Sequence, residues 1–205
     1  MKNSYSNVLL DFIDGIQTTS LKGFVKSVFA EEDVLEKFLI VPASYNHHHP
    51  EQGGLLRHSM EVVEIIGQHS FDSTSVRELA MVAGLLHDIG KIRTHDINGH
   101  MTALGLQVGH EYMTLEICAE ALKKLDQSWS IGANLLRHCW TCGTFNSRIG
   151  YQPNSSIALI VKNADQLSVQ RDYERQAFKA SKPIKGMHFH SLGRFQKIKR
   201  PPMVF

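Results

Sequence analysis

Apolar residues recur at intervals of three and four through most of this chain, and no series of alternating strands stands out. Segments 8–17, 21–29 and 33–39 carry the short amphipathic pattern of helices. Val41-Pro42 breaks it, and the loop 42–54 holds His47, His48, His49, Pro50 and the pair Gly53-Gly54. Its glycines and proline are turn formers, but three consecutive histidines are hard to explain as turn chemistry. Beyond the glycines, Leu55, Ser59, Val62, Val63 and Ile66 repeat at helical spacing, with His58 on the side shared by Leu55 and Val62. The cap region Asp72-Ser73-Thr74-Ser75 introduces a further helix, whose apolar face is Val76, Leu79, Ala80, Ala83 and Leu86. His87 falls beside that face and points inward.

After a loop at Asn98-Gly99, Met113, Ile117, Ala121 and Leu125 form one stripe between 103 and 125, which His110 extends at its start. Ile131, Leu135 and His138 share a face around 130–140. A helix over 154–175 turns Ile157, Ile160, Val161 and Ala164 inward, and Asp165 follows four residues after Val161. Past Ala180 the pattern dissolves into Lys, Gly, His and Pro. The expectation is an all-α, single-domain bundle. Helices in 1–37 pack on a main domain at 38–175, and a basic, irregular C-terminal tail occupies 176–205.

Composition changes this picture little. A chain of 205 residues suits one domain with a substantial core, and 42 % hydrophobic with 20 % charged residues is ordinary for a soluble protein. No apolar run is long enough to span a bilayer. The N-terminus runs into an amphipathic stretch with Asp11 and Asp14 rather than a signal-peptide core, so a cytoplasmic location without a membrane is expected. Cys139 and Cys142 have CxxC spacing, but no second pair completes a four-thiolate zinc site. They read as a redox pair or, more simply, as two reduced structural thiols. The net charge of +2 hides an asymmetry: residues 1–174 carry −6, and residues 175–205 carry +8 with no acid. Such a tail either tracks phosphates or stays solvated.

Chemistry concentrates in Leu85-Leu86-His87-Asp88-Ile89-Gly90-Lys91. An adjacent imidazole and carboxylate on an apolar segment are costly to bury unless something compensates them. A metal ion does so, taking a neutral His nitrogen and an ionised carboxylate together; a polar cap on a helix ending at Gly90 is the plainer alternative. His58, His110, His138 and Asp165 each face inward from a different helix. Any one of them has an ordinary explanation as a satisfied core residue. All of them together exceed what one core satisfies without metal or water.

These residues resemble the HD superfamily of metal-dependent phosphohydrolases, whose pattern is H…HD…D: here His58, His87-Asp88 and Asp165. The resemblance runs from about Phe38 to Asp172. The run from His48 to His58 is similar to the entry of YhaM-like exoribonucleases. Val41-Pro42-Ala43-Ser44, His47-His48-His49 and Ala164-Asp165-Gln166-Leu167-Ser168-Val169 look like the N-terminal HD domain of MobH-class conjugative relaxases. The resemblance implies that His58, His87, Asp88 and Asp165 hold one divalent ion, and that His110 and His138 match the extra histidines of two-metal members, with Asp88 bridging. Mn, Fe, Ni, Co, Zn and Mg are all candidates. Lys91 then reaches a phosphate oxygen, or is a solvated residue at a helix end. His48 and His49, folded back by the glycine turn, bind substrate phosphate or protonate the leaving oxygen. Arg57 and Arg137 flank ligand histidines, on the surface or against phosphate. The expected function is a phosphodiesterase acting on a nucleotide or nucleic-acid end. The alternatives are a relaxase-like DNA-processing module and a non-catalytic nucleotide-sensing domain.

Overall fold

The first two helices, α1 (Ser4–Gly15) and α2 (Thr19–Phe29), each bury one stripe: Leu9 and Ile13 from the first, Leu21, Phe24, Val25 and Val28 from the second. A carboxylate from elsewhere closes the turn between them. Glu78 accepts the backbone N–H groups of Gln17 at 2.7 Å and Thr18 at 2.9 Å, placing negative charge at the donor-rich start of α2. The computed structural model describes residues 4–143, 151–185 and 187–197. Next come α3 (Val34–Ile40), α4 (Gly54–Gly67) and α5 (Thr74–Leu86). The predicted cap holds: Ser73 Oγ accepts the Val76 N–H at 3.3 Å. The short α6 (Lys91–Thr94), α7 (His110–Ile117), α8 (Ala119–Thr141) and α9 (Ser156–Ala180) complete the helices of the described residues.

At the centre α4 packs between α5 and α9, and α8 closes the far side against α2. Phe38, Leu55, Leu56, Ile66, Leu85, Leu86, Ile89, Leu122, Leu136 and Trp140 are fully buried there. Trp140 spends its one donor on the Ala83 carbonyl at 3.0 Å, so its polar end is satisfied inside the core. The fold is all-α, apart from one small hairpin among the described residues. No helix of the described residues is long and apolar enough to cross a membrane.

Three local expectations need correction. The stripe over 103–125 is not one helix: residues 103–108 form turns and a bend, α7 stops at Ile117, and α8 begins at Ala119. The predicted helix at 130–140 is the second half of α8, reached across a kink at Trp129 (φ −156°, ψ 73°). Arg137 spans that kink, donating to both Asp126 oxygens at 2.9 and 2.6 Å. The kink rotates the inward face onto Ala133, Leu136, Cys139 and Trp140, and Ile131, expected inside, is 76 % exposed. Lastly, α9 runs on to Ala180, and beyond it β1 (Met187–His190) pairs antiparallel with β2 (Gly193–Gln196).

Candidate metal centre

Helix α5 ends at Leu86, so His87 and Asp88 occupy the turn into α6 rather than a helix interior. Two glycines let other elements close on this turn. A Cβ on Gly90 would lie 1.9 Å from the His110 carbonyl oxygen, so only glycine lets the start of α7 pack there. Thr114 fastens the contact: its Oγ1 accepts the Gly90 N–H at 3.0 Å and donates to the His87 carbonyl at 3.3 Å. His110 Nε2 is thereby brought to 3.0 Å from Asp88 Oδ1. Gly54 plays the same part for the histidine loop, since a Cβ there would meet the His49 carbonyl oxygen at 2.0 Å. The loop folds back over α4, and the His48 ring lies 5.0 Å from that of His58.

Four side chains from α4, the α5–α6 turn and α9 then converge. His58 Nε2 and His87 Nε2 are 3.2 Å apart. Asp165 Oδ1 lies 3.1 Å from the first and 3.6 Å from the second. Asp88 Oδ2 lies 3.6 Å from His58 Nε2 and 3.4 Å from His87 Nε2. The other nitrogen of each ring is already engaged. His87 Nδ1 donates to the Gly84 carbonyl at 2.7 Å. His58 Nδ1 meets Ser168 Oγ at 3.0 Å, and Ser168 in turn donates to Glu61 Oε2 at 3.1 Å. With its proton committed to Nδ1, each neutral ring presents a lone pair on Nε2, and the two lone pairs face each other between carboxylates. Such an arrangement could hold a cation. Ligands about 2.1 Å from a common ion stand about 3.0–3.4 Å from one another in octahedral or tetrahedral sets, close to the spacings here.

The charges say the same. Burial disfavours a protonated His87, yet Asp88 and Asp165 push its pKa up to about 10. Burial pushes His58 down. Despite its own burial, Asp88 is held well below the usual carboxylate range by His87 and Lys91, whose Nζ is 2.7 Å from Oδ2. Asp165 is likewise held low, by the neighbouring His58 and His87. The pocket therefore recruits one positive charge. A proton on His87 supplies it without metal, and His58, His87 and Asp165 form a group that could hold a divalent ion in its place.

The histidine loop divides its residues. His47 is exposed. His48 stands with His58 and Asp88 in a group able to hold an ion, and its buried Nε2 has no hydrogen-bond partner. Burial, then Lys91 and His58, push its pKa down to about 3, so it is a neutral imidazole and no general acid near pH 7. His49 is fully buried. Its backbone N–H donates to Asp172 Oδ2 at 2.7 Å, and its ring stands 3.5 Å from Glu61 and 3.8 Å from Asp172. A ring with no exposed surface cannot touch substrate, so its place is behind the centre.

His138 is not brought to the other ligands: its Nε2 accepts the Asn154 N–H at 3.1 Å, and it pairs with no described carboxylate. Arg137 is bound to Asp126, and Arg57 to Glu51 and Glu61. All three cysteines are free and buried, and burial pushes Cys139 up to about 12, the signature of structural thiols. Sequence reasoning missed Glu61, Ser168, Asp172, Arg175 and Thr114, which orient the cluster, and His95, which burial and the neighbouring Lys91 and His110 charges push down. Glu61 and Ser168 each lie three residues after a ligand on its own helix, a spacing that signals a shared face.

The HD domain family model matches residues 55–170, and the chain belongs to that family of metal-dependent phosphohydrolases. Among curated proteins, it is 29 % identical over 117 residues to ribonuclease Y of Bacillus thuringiensis (strain Al Hakam), 57 % of this chain and 18 % of that protein. It is 30 % identical over 118 residues to ribonuclease Y of Bacillus pumilus, again 57 % and 18 %. Against ribonuclease Y of Lactobacillus helveticus it is 35 % identical over 68 residues, 33 % of this chain and 12 % of that protein. The chain thus spans less than a fifth of the length of these relatives. No solved structure matches it.

Proposed function

We propose that the protein is a metal-dependent phosphodiesterase acting on a nucleotide or a nucleic-acid end. The observation that carries this reading is the meeting of His58 Nε2 and His87 Nε2, 3.2 Å apart, between Asp88 and Asp165. When bound there, a divalent ion (Mn, Fe, Ni, Co, Zn or Mg) polarises phosphoryl oxygens and makes water acidic enough to attack near neutral pH. The chain's own groups do the rest. Lys91, buried and fixed on Asp88, sets a positive charge beside the phosphate position. His48, neutral, offers a hydrogen bond to a phosphate oxygen. His110 lies against the outer oxygen of Asp88, and the two would help to hold a second ion.

The nucleic-acid part of the reading draws support from the relatives, whose names say ribonuclease. Purified protein with Mn or Ni is expected to hydrolyse bis-p-nitrophenyl phosphate and short oligonucleotides, and His87→Ala to abolish both. If no phosphate ester is turned over with any of these metals, the enzymatic reading is wrong. Tight nucleotide binding without turnover would instead identify a sensing domain.

A further inference from the structure

Arg175 is bound to Glu61 and Asp172, but the basic tail that follows it carries seven more Lys and Arg and no acid. Its described part is not loose. The hairpin lies on the end of α9: His188 and Phe195, cross-strand partners, are each 7 % exposed. The His188 ring meets that of Phe178 at 4.9 Å, and its Nδ1 meets Ser181 Oγ at 3.3 Å. Because strand side chains alternate, docking that face turns the other one outward. It carries the cross-strand pair Phe189 and Arg194, with Phe189 48 % exposed. Lys179, Lys182, Lys185 and Lys197, from the end of α9 and the ends of the hairpin, are all exposed and, like Arg194, paired with no described carboxylate. An exposed aromatic ring with unpaired cations is the makeup of a surface that follows a phosphate backbone and stacks a base.

This surface is joined to the metal centre by one rigid element. Helix α9 bears Asp165 at the centre and Lys179 fourteen residues later, about 21 Å along the helix axis. Between them Tyr173 faces His48, with ring centroids 6.5 Å apart. We infer that the end of α9 and the β1–β2 hairpin form a track for a single-stranded polynucleotide whose reacting phosphate lies at His87-Asp88. The substrate is then a polymer rather than a mononucleotide. This rests on the phosphodiesterase reading above.

The test is binding of a fluorescent 12-nucleotide single-stranded RNA to the full chain in chelator, followed by anisotropy from 50 to 200 mM salt. Wild-type protein is expected to bind with a steep salt dependence. Lys182→Glu with Arg194→Glu is expected to weaken binding at least tenfold and to flatten the log–log salt slope by at least about 1.4, on the order of 0.7 per lost contact. Phe189→Ala is expected to weaken it about tenfold through lost stacking. These positions are exposed, so circular dichroism melts should match wild type, and hydrolysis of bis-p-nitrophenyl phosphate should stay within about twofold. Unchanged RNA affinity in the double variant overturns the track, as does tighter binding of a duplex of equal length or of anionic phosphatidylglycerol vesicles. Failure to hydrolyse any ester would strike the phosphodiesterase reading, whereas RNA affinity alone decides the track.

Discussion

Two histidine–carboxylate clusters lie side by side in this protein, built from the same two helices. His58 on α4 and Asp165 on α9 belong to the first; Glu61, one turn on along α4, and Asp172, two turns on along α9, belong to the second with His49. In the second, guanidinium and amide groups meet the carboxylates. Arg175 donates to Glu61 at 2.8 Å, Gln176 to Asp172 at 2.8 Å and the His49 backbone N–H to Asp172 at 2.7 Å. In the first, Lys91 is the one fixed cation among the described residues for two carboxylates, and two imidazole lone pairs point at one spot. Composition therefore does not distinguish a metal centre from a structural network. The distinction lies in whether the protein supplies its own countercharge.

The sharpest break of this contrast is at the first cluster. His87→Ala or Asp88→Asn should reduce ester hydrolysis by far more than the roughly 100-fold that follows loss of an outer partner. Rates measured with Mn at saturating substrate check this; retained turnover would remove these residues from the site.

A pH titration comes next. In metal-free protein the His87 pKa is raised from 6.5 to about 10. The stability this provides is complete below about pH 6.5 and is lost as pH rises through 10. Metal must displace that proton, so metal affinity should increase by about tenfold per pH unit across the same window and level off above it. A fluorescent-chelator competition at several pH values measures the slope, and a flat profile would contradict the proton–metal exchange.

Smaller effects are expected where the clusters join. Ser168→Ala frees His58 Nδ1 from the Ser168–Glu61 relay and should weaken metal binding by about 10–100-fold, with a thermal midpoint near that of wild type in chelator. The smallest change in metal content should come from Asp172→Ala. It strands the buried His49 N–H at a cost of about 1–3 kcal/mol, so the melting temperature falls while the bound metal stays.

Much of this could be read from the chain before any coordinates. The helical stripes and the costly His87-Asp88 pair place His58, His87, Asp88 and Asp165 on facing elements, because a polar residue inside a 3.6-residue apolar stripe must turn inward. What escaped depends on backbone detail that periodicity does not carry. His48 and His49 divide between the centre and its rear because His49 takes a left-handed φ of 44° above Gly54. Ile131 faces solvent because the chain kinks at Trp129. Strands β1 and β2 are four residues each, too short for alternation to register. Glu61 and Ser168 look like ordinary surface polar residues until the fold closes over them.

The most direct measurement is elemental analysis of the freshly purified protein beside its His87→Ala and Asp88→Asn variants. At least one divalent ion per wild-type chain is expected, and its loss in both variants with the helical content preserved. Metal-free wild-type protein that takes up no divalent ion on addition, or variants that hold as much metal as wild type, would contradict it.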